Sequence, residues 1–371
     1  MSDTLTPDDI SRYQRHLSLA GFGAAAQGRL KSGSVLVIGA GGLGCPALLY
    51  LAAAGVGRIV IVDHDRVEVS NLQRQVLYTE ADEGELKAEV AARRLLALNP
   101  TVVVEARPER FSRGNALELV GASDVVVDGS DNFATRYLVN DACVLSNKPL
   151  VYGAVQGFSG QVSVFNWRGG PTYRCLFPEP PEPGTVANCA EAGVLGVLPG
   201  LVGIAQACEV IKLLAGIGEP LSGRLLLWDA LTMEVRKLAL SADPRSRQIS
   251  ELPPDGYGEI CDGPDQEREE WDVTELRAAI VGGRVPQLID VREGWERAKG
   301  SIEPSHHLPL GELSGNAAEA ALAGLNRSLP TVVYCAVGVR SLHGAQILRE
   351  QYGFCSAVSL RGGYQEWKRG G

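Results

Sequence analysis

Residues 35–65 (VLVIGAGGLGCPALLYLAAAGVGRIVIVDHD) constrain the fold of this chain more than any other stretch. An apolar β-branched run at 35–38 reads as a buried parallel strand, and residues 45–54 have helical composition closed by Gly55. Gly39, Gly41 and Gly44 between them make a strand–GxGxxG–helix unit. Such a loop is a phosphate cradle, because glycines let the backbone approach an anion while a helix N-terminus offers free N–H groups and a positive dipole end. A second apolar strand, 58–62, delivers Asp63, 19 residues after Gly44, where an acid can hydrogen-bond ribose hydroxyls. A nucleotide site on a doubly wound α/β sheet follows. Whether it serves a nicotinamide-dependent oxidoreductase or an ATP enzyme is decided downstream.

A chain of 371 residues has room for two domains. Its net charge of -9 argues against nucleic-acid or membrane-surface binding. No apolar run is expected to approach the roughly 20 residues of a membrane span, and from the polar, acidic start MSDTLTPDDISRY no signal peptide is expected. Eight cysteines without a secretion signal point to a reducing cytoplasm, where each thiol is a candidate for chemistry or for plain burial.

Thr6 and Pro7 mark a helix start leading into RYQRH at 12–16, which by composition is a solvated face. After Asp63 comes SNLQRQ at 70–75, and Lys87 opens a helical stretch to Leu98. The bland reading is a polar loop and an exposed lysine. An enzyme that attacks an α-phosphate with another anion, however, needs Arg and Lys to neutralise several kcal/mol of repulsion in a partly dry site. A further buried strand at 124–127 ends in Asp128, Asp131 and Asn132, which should face the same crevice as Gly39–Gly44. A carboxylate there suits Mg²⁺ on a polyphosphate, while a plain strand-end turn would use the same residue types.

GAGGLG, Asp63, SNLQRQ, Lys87 and SDN at 130–132, with RYQRH ahead of them, resemble the MoeB/ThiF family over roughly residues 8–240. That family, related to ubiquitin-activating enzymes, adenylates the C-terminal Gly-Gly carboxylate of a small ubiquitin-like sulfur-carrier protein. The resemblance implies that Gly42 backs the phosphates and Asp63 binds ribose. It implies that Ser70, Asn71, Arg74 and Lys87 contact the triphosphate and that Asp131 holds Mg²⁺ beside Asn132. Arg15 corresponds to the arginine that reaches the partner subunit's nucleotide, which implies a homodimer. In sulfur-transferring members a cysteine of the crossover segment becomes attached to the carrier; here that is Cys189, after the Pro/Gly-rich stretch 178–188, with a buried structural thiol as the alternative. Many members also hold a structural zinc with two CxxC pairs. This chain has TYRCL at 172–176 and DPRSRQI at 243–249, leaving one cysteine of four, so no structural zinc is expected.

Residues 241–272 are polar, charged and Pro/Gly-rich and read as a linker, in which Cys261 is incidental. A new α/β pattern starts at Val273. Its strand 331–334 runs into Cys335-Ala336-Val337-Gly338-Val339-Arg340-Ser341 ahead of a helix, and an arc of backbone N–H groups at a helix start lowers a thiol's pKa. The same nest would stabilise a terminal persulfide, with Arg340 as counter-charge. LIDVRE at 288–293, this loop and LRGGYQEW at 360–367 resemble a rhodanese domain; Ser301 stands where that family commonly has a histidine. His306 and His307 lack partner ligands at useful spacing and are expected to pack or face solvent. The terminal Gly370-Gly371 reads as a frayed end.

The expected protein is α/β throughout: a Rossmann-like adenylation domain with a mostly parallel central sheet over 1–245, a linker over 246–272, and a smaller α/β rhodanese domain over 273–371. Its expected chemistry is ATP- and Mg²⁺-dependent adenylation of a Gly-Gly carrier of the molybdopterin or thiamine type, then sulfur transfer from a Cys335 persulfide loaded by thiosulfate or a cysteine-desulfurase persulfide. Cys189 either attacks the adenylate or resolves the persulfide. A NAD-dependent oxidoreductase, or a scaffold that docks a ubiquitin-like protein without catalysis, are the alternatives.

Overall fold

The computed structural model describes residues 4–180, 193–253, 257, 270–282, 285–313, 318–327, 329–354 and 356–369. These fall into two compact units that part after Tyr257.

The first unit is built on an eight-stranded sheet. Its strands are β1 (Ser34–Ile38), β2 (Arg58–Val62), β3 (Val103–Arg107), β4 (Val125–Asp128), β5 (Leu150–Gln156), β6 (Ser159–Phe165), β7 (Arg224–Asp229) and β8 (Val235–Ala239), in the order β3-β2-β1-β4-β5-β6-β7-β8. Strands β3 to β5 pair in parallel, and β6 to β8 continue the sheet antiparallel. The Val- and Ile-rich β1, β2 and β4 are covered on both faces, as parallel strands require. Alternate residues feed the two sides: Val35, Val37, Ile59 and Ile61 meet Leu48, Leu51 and Val202, while Leu36, Ile38, Val60 and Val62 share the other core with Tyr137 and Phe165. Chain order reverses between β1 and β4. A crevice at the carboxyl ends of those two strands is where open α/β sheets bind ligands.

The helix Val197–Ala215 packs on β5 and β6 and on the helix Gly44–Ala54. It corrects the expectation about apolar runs, being 19 residues long with a mean hydropathy of 1.6, which is long and apolar enough to cross a membrane by length and composition. Half of that stretch is buried inside the unit, so core packing accounts for its composition. The helix Gly44–Ala54 stops where Gly55 turns left-handed at φ +83°, closed over by the Tyr13 ring. At the amino end, Thr6 and Asp9 form a reciprocal capping box on Pro7–Arg12.

Residues expected as linker contribute to both units. Arg247 donates to Asn166 Oδ1 and Gly170 O, Leu252 is buried in the first unit, and Tyr257 donates to Asp141 at 2.6 Å. That carboxylate also takes a bidentate pair of hydrogen bonds from Arg174, at 2.9 and 2.8 Å. At the far end of the expected linker, Glu270–Trp271 forms β9, an edge strand of the second sheet. Cys261 lies outside the described residues.

The second unit carries a five-stranded parallel sheet in the order β11-β10-β12-β13-β9, with β10 at Gln287–Asp290, β11 at His306–His307, β12 at Thr331–Tyr334 and β13 at Ala357–Leu360. The central strand β12 is fully buried and ends directly at Cys335. His306 and His307 form an exposed edge strand, and His307 Nε2 sits 2.8 Å from the Arg292 carbonyl oxygen.

Candidate functional site

Two strand–loop–helix junctions, one in each unit, hold most of the residues expected to carry the chemistry. In the first, Gly39 adopts φ +87°, and a Cβ there would sit 2.8 Å from Gly129 O; a Cβ at Gly44 would fall 2.0 Å from Gly39 O. No other residue fits either position, and the contact with Gly129 seats the loop after β1 against the loop after β4. Gly41 lies beside Gln75 Nε2, and Gly42 lies between Pro199 and the Arg74 side chain, whose Cγ would be 3.5 Å from an added Cβ. The close packing of Gly42 brings Arg74 to the cradle.

Asp63 is nearly buried at the end of β2. Its Oδ2 accepts from the Ala40 N–H at 2.6 Å and its Oδ1 from the Asp65 N–H at 2.8 Å, so the acid ties its strand to the glycine loop with lone pairs left for hydroxyls. Burial pushes its carboxyl up. Lys87 is buried, and its Nζ lies 2.8 Å from Asp65 Oδ2. Burial pushes Asp65 up, yet the Lys87 charge and hydrogen bond outweigh it and hold that carboxyl below its ordinary value.

Ser70 and Asn71 sit in the turn Val69–Asn71, both donating to Glu68 Oε2, at 3.0 and 2.9 Å; Gln75 donates to Asn71 Oδ1 at 2.7 Å. Arg74 donates only to Ser70 O, at 3.4 Å, among the described contacts, so its guanidinium keeps most of its donors. Asp131 is exposed just past β4, with no hydrogen bond or ion pair among the described residues. Asn132 caps the helix Phe133–Leu145, accepting from Thr135 N–H at 2.8 Å, which gives its side-chain oxygen a structural duty. Arg15 is exposed on Gln14–Leu17 and joins none of these groups by a described hydrogen bond or ion pair. Cys189 and Gly370–Gly371 lie outside the described residues.

The two stretches where the resemblance places zinc-binding pairs do meet. Cys175 Sγ accepts from the Thr172 and Asp243 N–H groups, each at 3.3 Å, and lies 3.2 Å from Ser246 Oγ. Burial raises this thiol, and those hydrogen bonds bring it net below its ordinary value.

In the second unit Cys335 is fully buried, its Sγ accepting from Gly338 N–H at 3.1 Å and from Ser341 Oγ at 3.5 Å. Gly338 reaches φ +105° to aim that N–H, and a Cβ on Gly363 would lie 2.4 Å from the Cys335 carbonyl oxygen, so the loop is pinned from both sides. Burial raises the thiol; hydrogen bonds from Ser341 and from the Val337 and Gly338 backbone outweigh it, and the net shift is downward. Arg340, expected as counter-charge to the persulfide, forms a bidentate pair with Glu296 at 2.7 and 2.7 Å.

Sequence reasoning missed the carboxylates that engage these groups. Asp65 and Glu296 hold the cations Lys87 and Arg340, while Glu68 accepts from Ser70 and Asn71, and only the fold shows what each one grips.

Residues 13–248 match the ThiF family and residues 272–370 match the Rhodanese-like domain. A relative from Mycobacterium tuberculosis, the probable adenylyltransferase/sulfurtransferase MoeZ, is 44% identical over 99% of this chain and 95% of its own length. The sulfur carrier protein adenylyltransferase of Thermus thermophilus is 58% identical over 65% of this chain and 90% of its own. Among solved structures, Escherichia coli MccB is 24% identical at a TM-score of 0.57, covering 66% of this chain and 74% of its own, a likeness of fold. The chain therefore belongs to the ThiF family, with a rhodanese-like domain following its adenylation domain.

Proposed function

We propose that this enzyme activates the C-terminal Gly-Gly carboxylate of a ubiquitin-like sulfur-carrier protein with ATP and Mg²⁺, and then converts it to a thiocarboxylate with sulfur from Cys335. The observation that carries the reading is Arg74 seated beside Gly42 at the switch point of the sheet. Hydride transfer develops no charge at the phosphates, so an arginine there would serve binding alone, whereas attack of a carboxylate on an α-phosphate brings two anions together and gains directly from the Arg74 charge.

In this reading Gly39, Gly41, Gly42 and Gly44 cradle the phosphates, Asp63 takes the ribose hydroxyls, and Ser70, Asn71, Arg74 and Lys87 face the triphosphate. Mg²⁺, when bound, neutralises polyphosphate charge, and the exposed, unengaged Asp131 is the carboxylate suited to hold it beside Asn132. The carrier carboxylate attacks the α-phosphorus, pyrophosphate leaves, and the carboxyl carbon of the resulting acyl adenylate carries AMP as its leaving group. The protein's share of that step is positioning and charge neutralisation. Cys335 carries the sulfur as a persulfide in its N–H nest, loaded by thiosulfate or a cysteine-desulfurase persulfide. The persulfide displaces AMP from the acyl adenylate to give an acyl disulfide on Cys335, and a thiol then attacks the Cys335 sulfur, releasing the thiocarboxylate and leaving a disulfide in its place. Cys189 is proposed as that thiol or as an earlier acceptor of the acyl group. A homodimer in which Arg15 serves the partner subunit's nucleotide, working in the cytoplasm in molybdopterin, thiamine or related biosynthesis, completes the proposal.

ATP–pyrophosphate exchange that depends on an added Gly-Gly carrier is the expected result. Bound ATP with no exchange for any carrier in a panel would overturn the adenylation reading.

A further inference from the structure

We infer that Glu296 sets the charge selectivity of the sulfur-transfer site, cancelling Arg340 so that Cys335 disfavours small dianionic donors and favours monoanionic ones. The inference rests on the reading of Cys335 as the sulfur carrier.

Arg340 follows Cys335 by four intervening residues and opens the helix Val339–Tyr352, so it is the cation nearest in sequence to the thiol. Both of its terminal nitrogens are taken by the Glu296 carboxylate, whose side chain is 13% exposed against 35% for the arginine. A paired and partly dried carboxylate cancels the field of its partner far better than a solvated one. The Arg340 hydrogen bond drives the Glu296 carboxyl down to about 2, so the pair stays ionised at any working pH.

Neighbouring charges do not restore a positive mouth. Glu293 adds the field of a second carboxylate at Arg340. Arg297 is drawn to Asp290, Ser305 and Glu303, and Arg292 to Asp290 and Gly300 O. Lys299 lies over the Trp295 ring. Val337 and Val339, the loop's outward side chains, are exposed and apolar. Arg361, whose Cα lies beside Gly338 of the loop, is likewise paired, with Glu270 at 3.0 Å, so an anionic donor meets backbone N–H groups and arginines already engaged by carboxylates.

The chemistry affected is the loading step. The Cys335 thiolate attacks the outer sulfur of thiosulfate, the S–S bond of the donor breaks, and sulfite leaves with the electron pair, giving Cys335–S–S⁻. Cyanide then takes the terminal sulfur as thiocyanate and returns the thiolate, so no outside oxidant or reductant is required. Toluenethiosulfonate loads the same sulfur with a sulfinate leaving group but carries one negative charge where thiosulfate carries two.

The test uses the full chain and measures thiocyanate formation with each donor for the wild type, Glu296→Gln, the double variant Glu296→Gln/Arg340→Gln and Cys335→Ala. Unmasking Arg340 in Glu296→Gln should raise kcat/KM for thiosulfate by about tenfold, chiefly through KM, with a steeper fall as salt is added. Toluenethiosulfonate, with half the charge, should gain only about threefold, the square root of that factor. The double variant should lose the gain, which a merely structural role for Glu296 does not predict. Equal changes for the two donors, or no gain for thiosulfate in Glu296→Gln, would overturn the inference while leaving sulfur transfer standing. Transfer that persists in Cys335→Ala, or a wild type inert to both donors, would overturn the sulfurtransferase reading and this inference with it.

Discussion

The glycine cradle and the Cys335 loop solve the same problem in two ways. Each ends a buried parallel strand, turns through left-handed glycine and opens a helix, a geometry that leaves backbone N–H groups suited to an anion. The cradle of the first unit carries no reactive group of its own. Its charges arrive from other elements, with Arg74 beside Gly42, Lys87 paired to Asp65, and Asp131 beyond the next strand. In the second unit nucleophile, N–H donors and hydroxyl all lie within residues 335–341. A distributed site can be retuned one side chain at a time, whereas a local one stands or falls with a single residue.

The largest expected effect follows from that contrast. Cys335→Ala should abolish sulfur transfer and leave carrier-dependent pyrophosphate exchange unchanged, and a parallel loss of exchange would break the separation of the two sites. Arg74→Ala should reduce exchange by about 10²–10³, the usual worth of one preorganised donor to developing charge, with sulfur transfer from thiosulfate to cyanide unaffected. Lys87→Met should cost about tenfold or more, because it also leaves the Asp65 carboxylate unopposed beside the phosphates. Adding Asp65→Asn should recover part of that loss; a further decline would mean that Asp65 itself serves the nucleotide.

The smallest effect is a pH shift. The thiolate is the reactive form of Cys335, and its folded-state pKa lies below the ordinary thiol value, so alkylation by iodoacetamide should rise with pH through a midpoint below that value. Ser341→Ala removes one hydrogen bond to the sulfur and should move the midpoint upward by less than about one unit. A midpoint at or above the ordinary value in the wild type would deny the nest its role.

These differences also mark what could be read before the fold was known. Gly39–Gly44, Asp63 and the Cys335 loop are contiguous motifs whose backbone geometry follows from residue type, and the parallel strands announced themselves as short β-branched runs. The pairings could not be read. Asp65–Lys87, Glu296–Arg340 and Asp243–Cys175 join residues 22, 44 and 68 apart, brought together by packing that no local pattern encodes. The far end of the first unit was missed for a related reason: Arg247 and Tyr257 sit in polar sequence yet bind buried acceptors. The helix Val197–Ala215 is apolar because it lies against the sheet and a second helix at once.

The most direct measurement is the intact mass of a panel of Gly-Gly carrier proteins after incubation with the full-length enzyme, ATP, Mg²⁺ and a sulfur donor. A gain matching replacement of one carrier oxygen by sulfur, present with the wild type and absent with both Cys335→Ala and Arg74→Ala, is the predicted result. Unmodified carriers under all conditions, or sulfur incorporation that survives Cys335→Ala, would contradict the coupling of the two sites.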